Sequence, residues 1–149
     1  MGTKKAYLRR LLLDRSNWIE QRLIDHAEIN GYGDVTPAMS RLFAHLAGSK
    51  PISLSELGRR LSVTRQAVHK LANEAARLNY VEFFDSEDDA RIKLLRFTQR
   101  GRDMAKSAEK ELDGIEAELA LQIGETRLTQ LKSTLALPWE EAERHKIKS

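Results

Sequence analysis

The 149-residue chain has no cysteine. That excludes a disulfide scaffold, a Cys-ligated zinc or iron–sulfur centre, and thiol-based redox sensing. It has no apolar run near the roughly 20 residues that span a bilayer. After Met1-Gly2-Thr3-Lys4-Lys5, Arg9 and Arg10 interrupt any secretory hydrophobic stretch, so the expected setting is cytoplasmic, with no membrane partner. The chain also lacks a Gly-rich phosphate loop, a nucleophile with a matching base, and a metal triad. Its histidines, His26, His45, His69 and His145, show no ligand spacing. Neither catalysis, a metal nor a resident cofactor is expected.

What is present suits one ordinary domain, with or without an extension: 41% hydrophobic residues for a core and 32% charged residues for a wet surface. Lys+Arg at 25 against Asp+Glu at 22 leaves a net charge of only +3, too mild to name a partner. Its distribution says more. Residues 53–80 hold five basic and two acidic side chains, so the positive charge concentrates in one segment.

Apolar residues recur at helical spacing over 4–29 (Leu8, Leu11, Leu12, Ile19, Leu23, His26), and Gly31-Tyr32-Gly33-Asp34 ends that helix. Thr36-Pro37 starts a second helix, with Met39, Leu42, Phe43 and Leu46 as its buried stripe. Ser53-Leu54-Ser55-Glu56 reads as a capping box opening a third helix through Leu57 and Leu61. After the short break Ser62-Val63, Thr64 caps a fourth helix to about Leu78, and Asn79 suits the left-handed terminating position. The period then changes. Residues 81–84 and 92–97 read as strands, and the polar tip 85–91 between them makes a hairpin. Thr98 caps a long helix over 99–123, Gly124 breaks it, and Leu128, Leu131 and Leu135 mark one more before Pro138.

Two short helices joined by a tight turn and followed by a hairpin make a winged helix-turn-helix. The second helix of such a pair fits the major groove of DNA, and the first crosses the backbone. With Val68, Leu71 and Leu78 turned to the core, the outward positions are Arg65, Gln66, His69, Lys70 and Asn73. Arg and Lys donate to guanine O6 and N7; Gln and Asn pair with adenine N6 and N7. The alternative is a winged-helix protein-interaction module without a specific operator, which would display apolar residues there.

The sequence resembles the MarR-type (multiple antibiotic resistance regulator) transcriptional regulators from its first helix to about Leu137. The stretch Asp89-Ala90-Arg91-Ile92-Lys93-Leu94-Leu95-Arg96-Phe97-Thr98-Gln99-Arg100-Gly101 follows the family's Asp-x-Arg … Leu-Thr-x-x-Gly pattern, with Phe97 in the Leu position. Leu54-Ser55-Glu56-Leu57-Gly58-Arg59-Arg60-Leu61-Ser62-Val63-Thr64 is similar to its helix-turn-helix entry. The resemblance implies a mainly α fold with a small β-hairpin wing and a helical dimerisation region drawn from both chain ends. The expected parts are a dimerisation helix over 1–30, the winged lobe over 36–98, and C-terminal dimerisation helices and tail over 99–149. It implies a homodimer, sealed by Leu8, Leu11, Leu12, Leu112, Ile115, Leu119, Leu128, Leu131 and Leu135. It also implies two recognition helices in successive major grooves of a pseudo-palindromic double-stranded operator.

The expected DNA contacts are Ser53, Ser55, Thr64, Arg65, Gln66, Ala67, His69, Lys70, Asn73, Asp89 and Arg91. Arg91 is expected in the minor groove, with Asp89 holding the tip in shape. One departure from relatives is the acidity of the tip, where Asp85, Glu87 and Asp88 join Asp89. Such a tip stands clear of the phosphates or contributes less, leaving more to Arg65, Lys70 and residues 59–60.

Many members of the family release DNA when a small aromatic or phenolic acid enters a cleft between the dimer helices and the DNA-binding lobe. The residues expected there are Trp18, His26, Tyr32, Met39 and Phe43, with Arg15 and Arg22 available to a carboxylate. The function expected is thus a homodimeric, sequence-specific DNA-binding transcriptional regulator, repression being the expected sense, with a small aromatic effector.

Overall fold

The computed structural model describes residues 5–48 and 50–139. Its elements run α1 (Leu8–Ile29), α2 (Pro37–Leu46), β1 (Ile52–Ser53), α3 (Leu54–Leu61), α4 (Arg65–Arg77), β2 (Val81–Asp85), β3 (Lys93–Phe97), α5 (Gln99–Ile123) and α6 (Glu125–Leu135). The fold is the expected mainly α one with a small antiparallel sheet. The described residues form two compact units, the first ending at Leu112 and the second beginning at Asp113, so the boundary falls inside α5.

In the first unit local chemistry sets the helix starts. Thr36 Oγ1 accepts from Met39 N (3.2 Å), Ser53 Oγ from Glu56 N (3.1 Å) and Thr64 Oγ1 from Ala67 N (3.1 Å), each satisfying an N–H that the first helical turn leaves free. Only half of the capping box at Ser53 is realised, because the Glu56 carboxylate takes Arg59 and Arg60 instead. Helix ends are equally local. Ser62 (φ 55°) and Asn79 (φ 64°) both adopt the left-handed conformation and close α3 and the end of the α4 region. The turn between α3 and α4 is therefore three residues long, Ser62-Val63-Thr64, which fixes the pair as a helix-turn-helix.

The sheet has the order β1-β3-β2. The hairpin register pairs Val81 with Phe97, Phe83 with Leu95 and Asp85 with Lys93. The third strand was not expected from sequence: Ile52 pairs with Leu95 and Ser53 with Leu94. Both hairpin strands also shift slightly from expectation, with Asp85 inside β2 and Ile92 outside β3.

The core lies among α2, α3, α4 and the sheet: Met39, Leu42, Phe43, Leu46, Leu57, Val68, Ala72, Ala75, Val81 and Leu95 are buried. Tyr80 is fully buried at its centre. Phe43 and Phe97 stand 5.7 Å apart, and Phe43 and Tyr80 5.5 Å, in tilted arrangements favourable for aromatic pairs. Leu71 and Leu78 are half-buried and pack against this cluster.

By contrast, α1 buries no residue fully, and Leu8, Leu11, Leu12 and Leu13 are exposed. In the second unit, Leu128 is half-buried while Leu131 and Leu135 on α6 are exposed. Ile115, expected among the dimer contacts, is 1% exposed within the single chain.

Candidate nucleic-acid interface

The N-cap at Thr64 and the burial of Val68, Ala72 and Ala75 fix the rotation of α4 about its axis. That rotation turns Arg65, Gln66, Ala67, His69, Lys70 and Asn73 to solvent, as the sequence predicts. None of the polar side chains among them is hydrogen-bonded or ion-paired to another described residue. The same is untrue one helix earlier: Glu56 holds Arg59 (Nε–Oε2 3.0 Å) and Arg60 (Nε–Oε1 3.3 Å), and these two guanidinium groups lower the Glu56 pKa below the usual carboxylate range. Arg65 and Lys70 are thus open cations on this lobe, while Arg59 and Arg60 already share an anion. Ser55 is exposed, and Ser53 is half-buried with its hydroxyl committed to the cap of α3.

The wing is built by its own charges. Lys93 pairs with Asp85 across the hairpin, and Arg96 Nε lies 2.8 Å from Glu82 Oε1 and over the Phe84 ring. At the tip Asp89 grips Arg91 three times: Oδ1 accepts from its backbone N–H (3.0 Å) and from Nε (3.1 Å), and Oδ2 accepts from Nη2 (3.1 Å). These bonds, side chain first, hold the Asp89 carboxyl below its ordinary pKa. Arg91 itself is 91% exposed, so it projects from a tip that Asp89 shapes. The acidity noted in the sequence is therefore partly cancelled. Asp85 and Asp89 are paired, and only Glu87 and Asp88 lack a side-chain partner among the described residues.

Behind α4 sits a cluster that spacing alone does not reveal. The Tyr80 hydroxyl donates to Asp34 Oδ1. Arg100 donates to Asp34 Oδ2 (Nη2, 3.3 Å) and to the Leu78 carbonyl at the end of α4, while its guanidinium stacks 4.2 Å from the Tyr80 ring. Burial pushes the Asp34 carboxyl up, but the Tyr80 hydrogen bond and the Arg100 charge outweigh it, and the pKa ends below the ordinary value. Burial, then the bond to Asp34, raises the Tyr80 phenol well above the usual tyrosine range. The cluster ties the loop before α2, the exit of α4 and the start of α5 together.

Beside it, α1, α2 and α5 enclose a mostly apolar cleft of about 100 Å³. Three of the seven residues expected in an effector site line it: His26, Tyr32 and Phe43. Met39 is buried in the core, and Arg15 and Trp18 are exposed on α1; none of the three lines the cleft. Arg22 stacks on Trp18 (5.5 Å) and bonds Glu111 through Nε (3.1 Å). His26 uses both ring nitrogens, Nδ1 at 3.2 Å from Glu111 Oε2 and Nε2 at 2.9 Å from Ser107 Oγ. Sequence reasoning missed Ser107 and Glu111. Their four-residue spacing on α5 matches His26 only once the helices are packed.

Among the described residues, no helix is long and apolar enough to cross a membrane, and no group of three His, Asp or Glu side chains is placed to hold a metal.

A capped helix pair, a three-stranded sheet with a wing, and long helices before and after define a winged helix-turn-helix chain. Residues 33–92, from the loop before α2 to the wing tip, match the model of the MarR family. No curated protein matches in sequence. Among solved structures, wild-type MarR from E. coli in its apo form is similar with a TM-score of 0.69 at 19% identity, over 91% of this chain and 100% of that one. NadR in complex with 4-hydroxyphenylacetate gives 0.74 at 16% identity, over 91% and 94%. CouR bound to a 23-mer DNA duplex gives 0.68 at 19% identity, over 87% and 90%. At these identities the structures speak for the fold, which is the MarR one.

Proposed function

We propose that this chain is a homodimeric, sequence-specific DNA-binding transcriptional repressor whose grip on its operator is loosened by a small aromatic ligand. The observation that carries the reading is the bare edge of α4. Arg65, Gln66, His69, Lys70 and Asn73 are exposed together on one capped helix with no partner among the described residues. A helix that spent these groups on protein contacts would show apolar residues instead. Leaving five donors and acceptors aimed at solvent suits base edges and phosphates. Arg91 on the wing adds a cation suited to a narrow minor groove. The CouR neighbour, solved on a DNA duplex, supports this assignment.

The exposed leucines support the dimer. A soluble monomer rarely shows rows such as Leu8, Leu11 and Leu12 on α1, or Leu131 and Leu135 on α6, without a partner for them. In this reading 36–98 is the DNA-binding lobe, and 1–30 and 99–149 dimerise. The NadR neighbour, solved with a phenolic acid, supports a small aromatic effector, and the cleft at His26, Tyr32 and Phe43 is its place. Tyr32 carries the signal onward. Its ring lies 6.2 Å from that of Tyr80, whose Asp34–Arg100 cluster holds the end of α4. A ligand acts here only by favouring one placement of α4 over another.

Fluorescence anisotropy with a duplex from the chain's own upstream region, against a scrambled duplex, tests the reading. Preference for the first by a light-scattering dimer is expected. Equal affinity for both refutes sequence recognition, and a monomer that ignores every duplex favours an interaction module instead.

A further inference from the structure

We infer that the cleft between α1, α2 and α5 takes an uncharged single-ring aromatic compound and rejects the carboxylate of the same shape. The inference rests on the effector reading and sharpens it to a ligand charge. Size comes first. An apolar cavity of about 150 Å³ holds one benzene. At about 100 Å³ this cleft accommodates one ring at most.

Charge follows from the walls. No lysine or arginine lines the cleft. Lys106 and Lys110, on the α5 stretch that forms one wall, are exposed and not among its lining. The Arg22 guanidinium and the His26 ring, which lines the cleft, already meet the two oxygens of Glu111. His26 spends its other nitrogen on Ser107. A ligand carboxylate entering here would lose its water, find no open cation, and face Glu111 behind His26 and the exposed Glu109 at the rim. A buried anion without a partner is strongly disfavoured. An ammonium fares little better: Glu111 is already engaged, Glu109 meets it only at the exposed rim where water competes, and apart from Ser40, Ser107 and the His26 ring the rest of the wall is alanine, leucine, isoleucine, valine, methionine and aromatic carbon. A neutral ring needs nothing beyond that carbon, and a single hydroxyl on it can share the Ser107–His26 bond.

The experiment uses three probes of one size, benzyl alcohol, benzoate and benzylammonium, titrated into the DNA-free protein and followed by backbone amide NMR shifts at Tyr32, Ala44 and Ala105. Because no DNA is present, the result is independent of whether the chain binds an operator. Benzyl alcohol is expected to move these amides saturably, with the two ions weaker by roughly tenfold or more. Ala105→Leu, which fills the cleft, is expected to abolish the effect. Glu111→Gln, which frees Arg22 and His26 from their carboxylate, is expected to narrow the gap between benzoate and benzyl alcohol. Benzoate binding as tightly as the alcohol in the unaltered protein overturns the inference. So do amides indifferent to benzyl alcohol, undiminished binding to the filled variant, or a gap that Glu111→Gln leaves unchanged.

Discussion

Gly101→Ala should unseat the junction on which the recognition helix and the wing both depend. Gly101 lies in the first turn of α5, where its N–H donates to Thr98 Oγ1 (3.1 Å). A Cβ added there would fall 2.0 Å from the Tyr80 carbonyl oxygen, 3.0 Å from the carbonyl carbon and 2.8 Å from Phe97 Cδ1. Two of these atoms are backbone and cannot rotate aside, so α5 must retreat by about 1.4 Å to reach ordinary contact. That retreat strains the Thr98 N to Tyr80 O bond (3.0 Å) and pulls Arg100 away from Leu78 and Asp34. Overpacking costs about 1–3 kcal/mol and each weakened hydrogen bond about 1 kcal/mol, so a loss of about 3 kcal/mol or more is expected. For a domain of this size that lowers Tm by roughly 10 °C. Gly114→Ala is the internal reference, because it lies in the same helix with nothing within 4 Å of its Cβ. It should be neutral or stabilising by up to about 1 kcal/mol. Urea unfolding followed by circular dichroism reads both. Equal stability of the two variants would refute the steric argument.

Three other perturbations probe separate parts of the lobe. Thr64→Ala removes the cap of α4 and should cost about 1 kcal/mol, read as a lower urea midpoint; an unchanged midpoint would mean that Thr64 Oγ1 contributes nothing to the helix start. Asp34 has a folded pKa below its unfolded value, so its contribution is complete above about pH 4 and is lost as pH falls through the folded value. The stability gap between the unaltered chain and Asp34→Asn should therefore shrink in acid. It should be modest at any pH, since the carboxylate is partly exposed, and a gap constant into acid would contradict the assigned pairing. Arg91→Ala should weaken DNA binding most where the flanking minor groove is narrow, and equal losses on A-tract and mixed flanks would remove Arg91 from that groove.

The features legible in the sequence were the local ones. Caps at Thr36, Ser53 and Thr64, the left-handed Asn79, the break at Gly124 and the change to strand composition at Val81 each depend on a few neighbouring residues, and the structure realises all of them. The motif Phe97-Thr98-Gln99-Arg100-Gly101 was recognisable, but its reason was not. Thr98 caps α5, Arg100 holds the end of α4, and Gly101 admits the Tyr80 carbonyl, three jobs visible only after folding. A two-residue strand such as β1 has no periodicity to read. The Arg22–Glu111–His26 and Asp34–Tyr80–Arg100 clusters join residues far apart in the chain, where spacing carries no signal. The wing looked more acidic in sequence than it is, because the Asp85–Lys93 pair follows from the hairpin register and not from proximity in the chain.

The most direct test of DNA recognition by α4 is the affinity of an Arg65→Ala/Lys70→Ala variant for the upstream duplex, measured by anisotropy beside the unaltered chain. Both side chains are exposed and unpaired among the described residues, so folding and dimerisation should be untouched. Each lost contact is worth about 1–3 kcal/mol, and the dimer loses it twice, so affinity should fall by at least about a hundredfold. A folded variant that binds the duplex as tightly as the unaltered chain would place the DNA elsewhere.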